Sequence, residues 1–278
     1  MAILLTIARK EWLDGIRNRW ILAIALMLWG LAVGLAYFGG VASGLVGFTS
    51  IESTLASLAS LAVVILPLIA LMLGHDALIG EAERGTLLLL LTYPITPGQL
   101  LLGKFIGQAL MLAAATALGF GSAALTLLLL TPALDAGVVL YLFAALILSA
   151  VLLGWIFLAM AYALSGWVNE KAKAAGASLI LWFFFVVVFD LLMLGLLIGL
   201  PERLDFASLP YLMLLNPADI FRIFNLGLLS SAEVKTGVMA AGSSLGLGSA
   251  GLLAGLLLWL GCMMGLARFL FQRSLLRI

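Results

Sequence analysis

Six long apolar stretches, near residues 21–43, 54–75, 104–131, 138–165, 174–200 and 239–267, constrain this chain more than any other feature. Each has the roughly 20 residues that a helix needs to cross about 30 Å of hydrocarbon at about 1.5 Å per residue. Charges are too sparse within them for the cores of soluble helices. With 65% hydrophobic residues, 10% charged residues and a mean hydropathy of +1.27 over 278 residues, the chain reads as an all-α, polytopic membrane protein with six spans. A membrane β-barrel would instead show short alternating segments. A net charge of +1 gives no electrostatic reason to bind nucleic acid. The single cysteine, Cys262, excludes an internal disulfide and a multi-thiolate metal site.

The distribution of lysine and arginine sets the expected orientation. Arg9, Lys10, Arg17, Arg19, Arg84, Lys104, Lys171, Lys173, Arg268, Arg273 and Arg277 fall on one side, against Arg203, Arg222 and Lys235 on the other. The positive-inside rule then puts both termini in the cytoplasm, which agrees with an even number of spans. The first apolar run is longer than a signal-peptide core and no small-residue cleavage site follows it, so cleavage is not expected.

Residues 1–20 precede the first span, and 5–20 read as an interfacial helix. Leu5, Ala8, Trp12, Leu13, Ile16 and Trp20 fall on one face at helical spacing, and Lys10, Glu11, Asp14, Arg17 and Asn18 on the other. Such a helix serves either as a positive-inside anchor in contact with membrane lipids or as an elbow that passes movement into the first span.

Between the second and third spans, residues 76–103 form a charged cassette that runs from His75 and Asp76 through Glu81, Glu83, Arg84, Gly85 and Thr86 to Pro94 and Pro97. Asp76 is placed to cap a helix starting near Ala77, and the two prolines are expected to turn the chain before it climbs again at Lys104. The alternatives are an ordinary helical hairpin and a helix pushed by a docked partner. Within it, Gly98 to Lys104 fits G-x-x-x-x-G-K, but Phe105 stands where a phosphate loop needs a hydroxyl for magnesium, and no strand precedes it. The match is therefore fortuitous, and ATP, if used, is hydrolysed by another chain.

Gly80-Glu81-x-Glu83-Arg84-Gly85-Thr86-Leu87, Tyr93-Pro94-Ile95-Thr96 and Leu102-Gly103-Lys104 resemble the cytoplasmic coupling region of ABC-2-type transporter permeases. The six-span plan is similar to that family over essentially the whole chain. Three further runs, Ala8 to Trp20, Gly74 to Leu78 and Leu215 to Arg222, resemble a narrower group that serves maturation of the copper centres of nitrous oxide reductase in denitrifying bacteria. The resemblance implies a non-catalytic permease in the bacterial inner membrane, paired with a second copy of itself. Its partners would be a cytosolic ABC ATPase dimer, which binds the ATP and Mg, and a periplasmic accessory protein. Asp76, Glu81, Glu83, Arg84, Gly85 and Thr86 would then couple the ATPase to the spans.

On the outer side, residues 201–238 form a segment in which Asn216 is placed as an N-cap, Pro217 as the first helical residue and Asp219 in the first turn. With Phe221 and Arg222 these residues either face a periplasmic partner or plug the bundle. Asp190 stands alone in the run Phe183 to Leu192, and an intramembrane carboxylate costs about 3 kcal/mol on insertion scales. It is therefore expected to face the bundle or a wet cavity. Gly30/Gly34, Gly40/Gly44, Gly242/Gly246, Gly251/Gly255 and Gly261/Gly265 repeat the spacing that lets helices approach closely.

Cys262, Met263, Met264, Met193 and Met213 are soft enough for Cu(I), but adjacent residues point apart on a helix and no regular methionine ladder occurs. The pattern thus leaves any metal ligands unknown, and His75 reads as a helix-end residue. The functional expectation is a permease that turns a partner's ATP hydrolysis into movement of the spans, with copper, a sulfur species, a lipid or no solute crossing. The competing expectations are a membrane anchor or mechanotransmitter to a periplasmic partner, and an exporter of another substrate.

Overall fold

The computed structural model describes residues 2–17, 19–38, 51–93, 95–132, 134–199, 209–229 and 247–275, and no strand occurs among them. Helix α1 (Ala2–Arg17) meets α2 (Trp20–Phe38) at a bend of 61°. Then come α3 (Ile51–Gly74), the short α4 (Ile79–Glu83) and α5 (Thr86–Thr92), α6 (Pro97–Leu130) and α7 (Ala136–Trp167). A single long helix follows, made of α8 (Lys171–Phe183), a π-turn over Phe184–Val188 and α9 (Phe189–Gly199). The chain continues with α10 (Leu209–Met213), α11 (Pro217–Gly227) and α12 (Ser249–Leu275).

Five helical units among the described residues are long and apolar enough to cross a membrane, and the bent α1–α2 pair makes a sixth. The protein is accordingly multi-pass. Several boundaries differ from the sequence expectation. The third span begins at Pro97, not Lys104, because Pro97 opens the helix rather than turning the chain. Thr96 Oγ1 accepts from the Gln99 N–H at 3.2 Å while Gln99 Oε1 accepts from the Thr96 N–H at 3.0 Å, a capping box with proline at the first helical position. The expected turn at Pro94 lies outside the described residues. At the other end, α12 runs to Leu275, so Arg268 and Arg273 sit on the last helix and not on a tail.

Helix α7 is the central post, packed against α3, α6 and α12, while α1 and α2 lie along α6. Close approach of α1 to α6 depends on Gly103 and Gly107, a pair with the same four-residue spacing that is not among those named from the sequence. A Cβ on Gly107 would lie 2.6 Å from the Ala8 carbonyl oxygen and 2.6 Å from Glu11 Cβ, and one on Gly103 would lie 2.8 Å from Ile7 Cβ. By contrast, Gly30, Gly34, Gly261 and Gly265 have nothing within 4 Å of a Cβ among the described residues, so those pairs bring no described helices together. Gly40/Gly44 and Gly242/Gly246 lie outside the described residues.

Candidate functional site

The charged cassette folds as two short helices under α6, α7 and α8. Helix α4 starts at Ile79, and Leu78 is its N-cap without a side-chain hydrogen bond. Ser165 Oγ, from α7, instead accepts from the N–H groups of Leu78 (3.0 Å) and Ile79 (3.1 Å). Asp76 is therefore not the cap that the sequence suggested. Its carboxylate is taken by Lys171 Nζ at 2.7 Å, and the Lys171 N–H donates to Glu83 Oε1 at 2.6 Å, so the turn before α4 and the last residue of α4 are both tied to the start of α8. Gly85 joins α4 to α5 at φ +70°, the left-handed region that a side chain would resist.

At the centre of the site is an ion triad that no local pattern reveals. Lys104 Nζ, on α6 and only 6% exposed, donates to Glu11 Oε1 on α1 (2.9 Å) and to Glu81 Oε1 on α4 (3.0 Å). The Thr86 hydroxyl donates to the other Glu81 oxygen. One turn further along α6, Gln108 Oε1 accepts from the buried Tyr162 hydroxyl at 3.0 Å. A buried ammonium needs paired, hydrogen-bonded anions, and here they come from two helices far apart in sequence. Helices α1 and α4 thus share one charge.

Of the six cassette residues expected to contact a partner, Glu81, Thr86 and Asp76 are engaged internally. Glu83, Arg84 and Gly85 are exposed at the tip, and Arg84 has no ion pair among the described residues. Glu11 was expected on the solvent face of α1. It turns inward because α1 lays Ala8, Glu11 and Gly15 against α6, leaving Leu5, Leu13 and Ile16 exposed.

A second cluster gathers around α11. Asn216 caps α11, its Oδ1 accepting from the Ala218 N–H at 3.0 Å, with Pro217 first in the helix as expected. Its Nδ2 donates to the Phe185 carbonyl at 2.9 Å, within the π-turn, where the shift to i→i+5 bonding reorganises the backbone ladder. Arg222 Nη1 lies 2.5 Å from Asp190 Oδ2 and 3.4 Å from Asp219 Oδ1. Asp190, alone in its apolar run, is thus paired. The expectation that Asn216, Pro217, Asp219, Phe221 and Arg222 present themselves to a periplasmic partner meets a different placement. The first four are buried and Arg222 is mostly covered, because α11 packs among α3, α7 and α12. Asn225 Nδ2 also donates to Ser149 Oγ, about 20 Å along α7 from its first residue at about 1.5 Å per residue.

Soft ligands do not converge on the residues weighed for copper. Cys262 is exposed while Met193 and Met213 are buried, and among the described residues no group of three His, Cys, Asp or Glu side chains could hold a metal ion. His75 Nδ1 donates to the Met72 carbonyl at 2.9 Å, as a helix-end residue does.

Residues 5–276 match the ABC-2 family transporter protein model. The chain belongs to the ABC-2 transporter family and is a permease of that family. It is 52% identical over 273 residues to a protein of Pseudomonas aeruginosa named "Probable ABC transporter permease protein NosY", covering 98% of this chain and 99% of that protein. A protein of the same name from Stutzerimonas stutzeri is 51% identical over 269 residues, covering 97% of this chain and 98% of its own length.

Proposed function

We propose that this chain is the membrane subunit of an ABC transporter in the bacterial inner membrane, with both termini cytoplasmic and two copies working together. A separate cytosolic ATPase dimer binds the ATP and Mg and docks on the exposed tip at Glu83, Arg84 and Gly85. The observation that carries this reading is the buried Lys104, held at 2.9 Å by Glu11 and 3.0 Å by Glu81. A push on α4 reaches α6 and the elbow α1 together through this one ammonium, and α1 in turn bends into α2. Likeness to the two NosY proteins over nearly the full length supports a role in assembling the copper sites of nitrous oxide reductase. Co-purification tests the docking. The wild type retains its ATPase in mild detergent, and Glu83→Arg with Arg84→Glu releases it at equal membrane insertion. Absence of an ATPase on well-folded wild type overturns the reading.

A second reading, transmission of movement to a periplasmic partner without passage of a solute, draws on the outer cluster. Asp190 and Asn216 bind α11 to the π-turn region of the fifth span, so movement of that span reaches the outer segment directly. ATP-dependent accumulation of a labelled solute in sealed vesicles would decide against it.

A further inference from the structure

A partly open cavity of about 680 Å³ lies between the α1–α2 bend and α3, with α6 as its floor. That volume is within the range of ligand sites, on the order of 300–1,000 Å³. Its two ends differ in chemistry. One end is apolar, formed by Ile24, Leu68 and their neighbours, and it reaches the lipid-facing surface at Met27, which is 39% exposed. The other end carries Glu11, Asp14, His75, Asp76 and Gln108, and it reaches water at Asp14, whose side chain is 49% exposed.

The polar end is made almost wholly of acceptors. Three carboxylates line it and no lysine or arginine does. Glu11 is already held by Lys104 within the bundle. Asp76 and Asp14, however, are paired with lysines that stand exposed, Lys171 at 43% and Lys10 at 63%. Exposed pairs of that kind are worth little and exchange readily. The cavity therefore offers an incoming cation two carboxylates whose present partners are easily replaced. Among the described residues no Phe, Tyr or Trp lines the cavity, so it lacks the cage that holds a quaternary ammonium by its faces. A primary ammonium, with three N–H donors for carboxylate oxygens, is the better match. Lys10 lies at the rim, 3.6 Å from Asp14 and 3.7 Å from Glu11, where it can meet a phosphate next to that ammonium.

We propose that this cavity binds an ethanolamine phospholipid from the leaflet on the coupling-helix side. The lipid's ammonium lies among Glu11, Asp14 and Asp76, its phosphate at Lys10, and one chain along Met27 and Leu68. The site adjoins the elbow and the start of the cassette, so the bound lipid sits where α1, α3 and α6 must move against one another. The proposal does not depend on the ATPase reading.

The test is native mass spectrometry of the full chain purified from mixed micelles holding equal amounts of phosphatidylethanolamine, phosphatidylcholine and phosphatidylglycerol. The ethanolamine lipid is expected to be retained about tenfold over the choline lipid, which differs only by methylation of the nitrogen. Met27→Trp, which fills the apolar end, is expected to remove that preference without lowering the thermal midpoint. Equal retention of ethanolamine and choline lipids overturns the proposal whatever the variant does. So does displacement of the lipid by soluble octylamine at equal concentration, which would make the site one for free amines. Silver(I) binding that is lost in Met72→Leu, with no lipid preference, would make it a soft-metal site instead.

Discussion

Glu11 and Glu81 lie on helices separated in sequence by α2 and α3, yet their Oε1 atoms contact the same nitrogen, Lys104 Nζ, at 2.9 Å and 3.0 Å. This shared ammonium ties α1 and α4 to α6. Removing one side of a buried pair leaves an uncompensated charge, whereas removing all of it does not. Lys104→Met is expected to destabilise the protein by about 3–5 kcal/mol. The triple variant Glu11→Gln, Lys104→Met, Glu81→Gln should recover most of that loss. Thermal unfolding in detergent at fixed lipid content compares the two, and a triple variant no better than Lys104→Met alone would contradict the triad.

Helix α1 approaches α6 where Gly107 leaves room for the Ala8 carbonyl oxygen. Gly107→Ala places a Cβ 2.6 Å from that oxygen and from Glu11 Cβ, backbone and side chain that cannot both withdraw. The expected cost is about 1–3 kcal/mol from overpacking, with displacement of Glu11 from Lys104. Gly261→Ala, which meets nothing within 4 Å, should leave the monomer's stability unchanged. Equal effects of the two substitutions in a thermal-shift assay would refute the packing account.

Much of the architecture was legible in the sequence because membrane spans announce themselves by length and apolarity, and caps by local residue type. Asn216 with Pro217 could be recognised as a helix start from two adjacent letters. Thr96 and Gln99 carry an equally plain capping signature, with Pro97 between them as the first helical residue. The pairings between spans were not legible. Lys104 with Glu11, Asp190 with Arg222 and Asp76 with Lys171 are separated by 93, 32 and 95 residues, and periodicity reports which face a residue occupies without saying which helix that face meets. One signal was available: lone charges in apolar runs must find partners, and Lys104 and Asp190 were both such charges.

Arg222 serves two carboxylates at the outer cluster, so the two sides of that cluster are not equivalent. Arg222→Ala leaves Asp190 and Asp219 facing each other, and the expected loss is about 3 kcal/mol or more, since two acids remain without their cation. Asp190→Ala retains the Arg222–Asp219 contact and should cost less. Urea or thermal unfolding of both variants in matched micelles checks the order, and a greater loss in Asp190→Ala would reverse it.

Ser165 is the acceptor for two N–H groups at the start of α4. Ser165→Ala leaves the Leu78 and Ile79 donors without it, at a cost of about 1–3 kcal/mol for a buried unsatisfied group. Faster hydrogen exchange confined to residues 78–83 is the expected signature. Unchanged protection there would show that Ser165 does not anchor the cassette.

The central claim is that Lys104 passes movement from a docked ATPase to the elbow. Spin labels at Leu13 on α1 and Leu140 on α7, in a Cys262→Ser background, report that movement in the complex with its ATPase. Addition of ATP is expected to change the label separation in the wild type, while Lys104→Met keeps the ATPase bound but shows no change. The same ATP-dependent change in Lys104→Met would contradict the account.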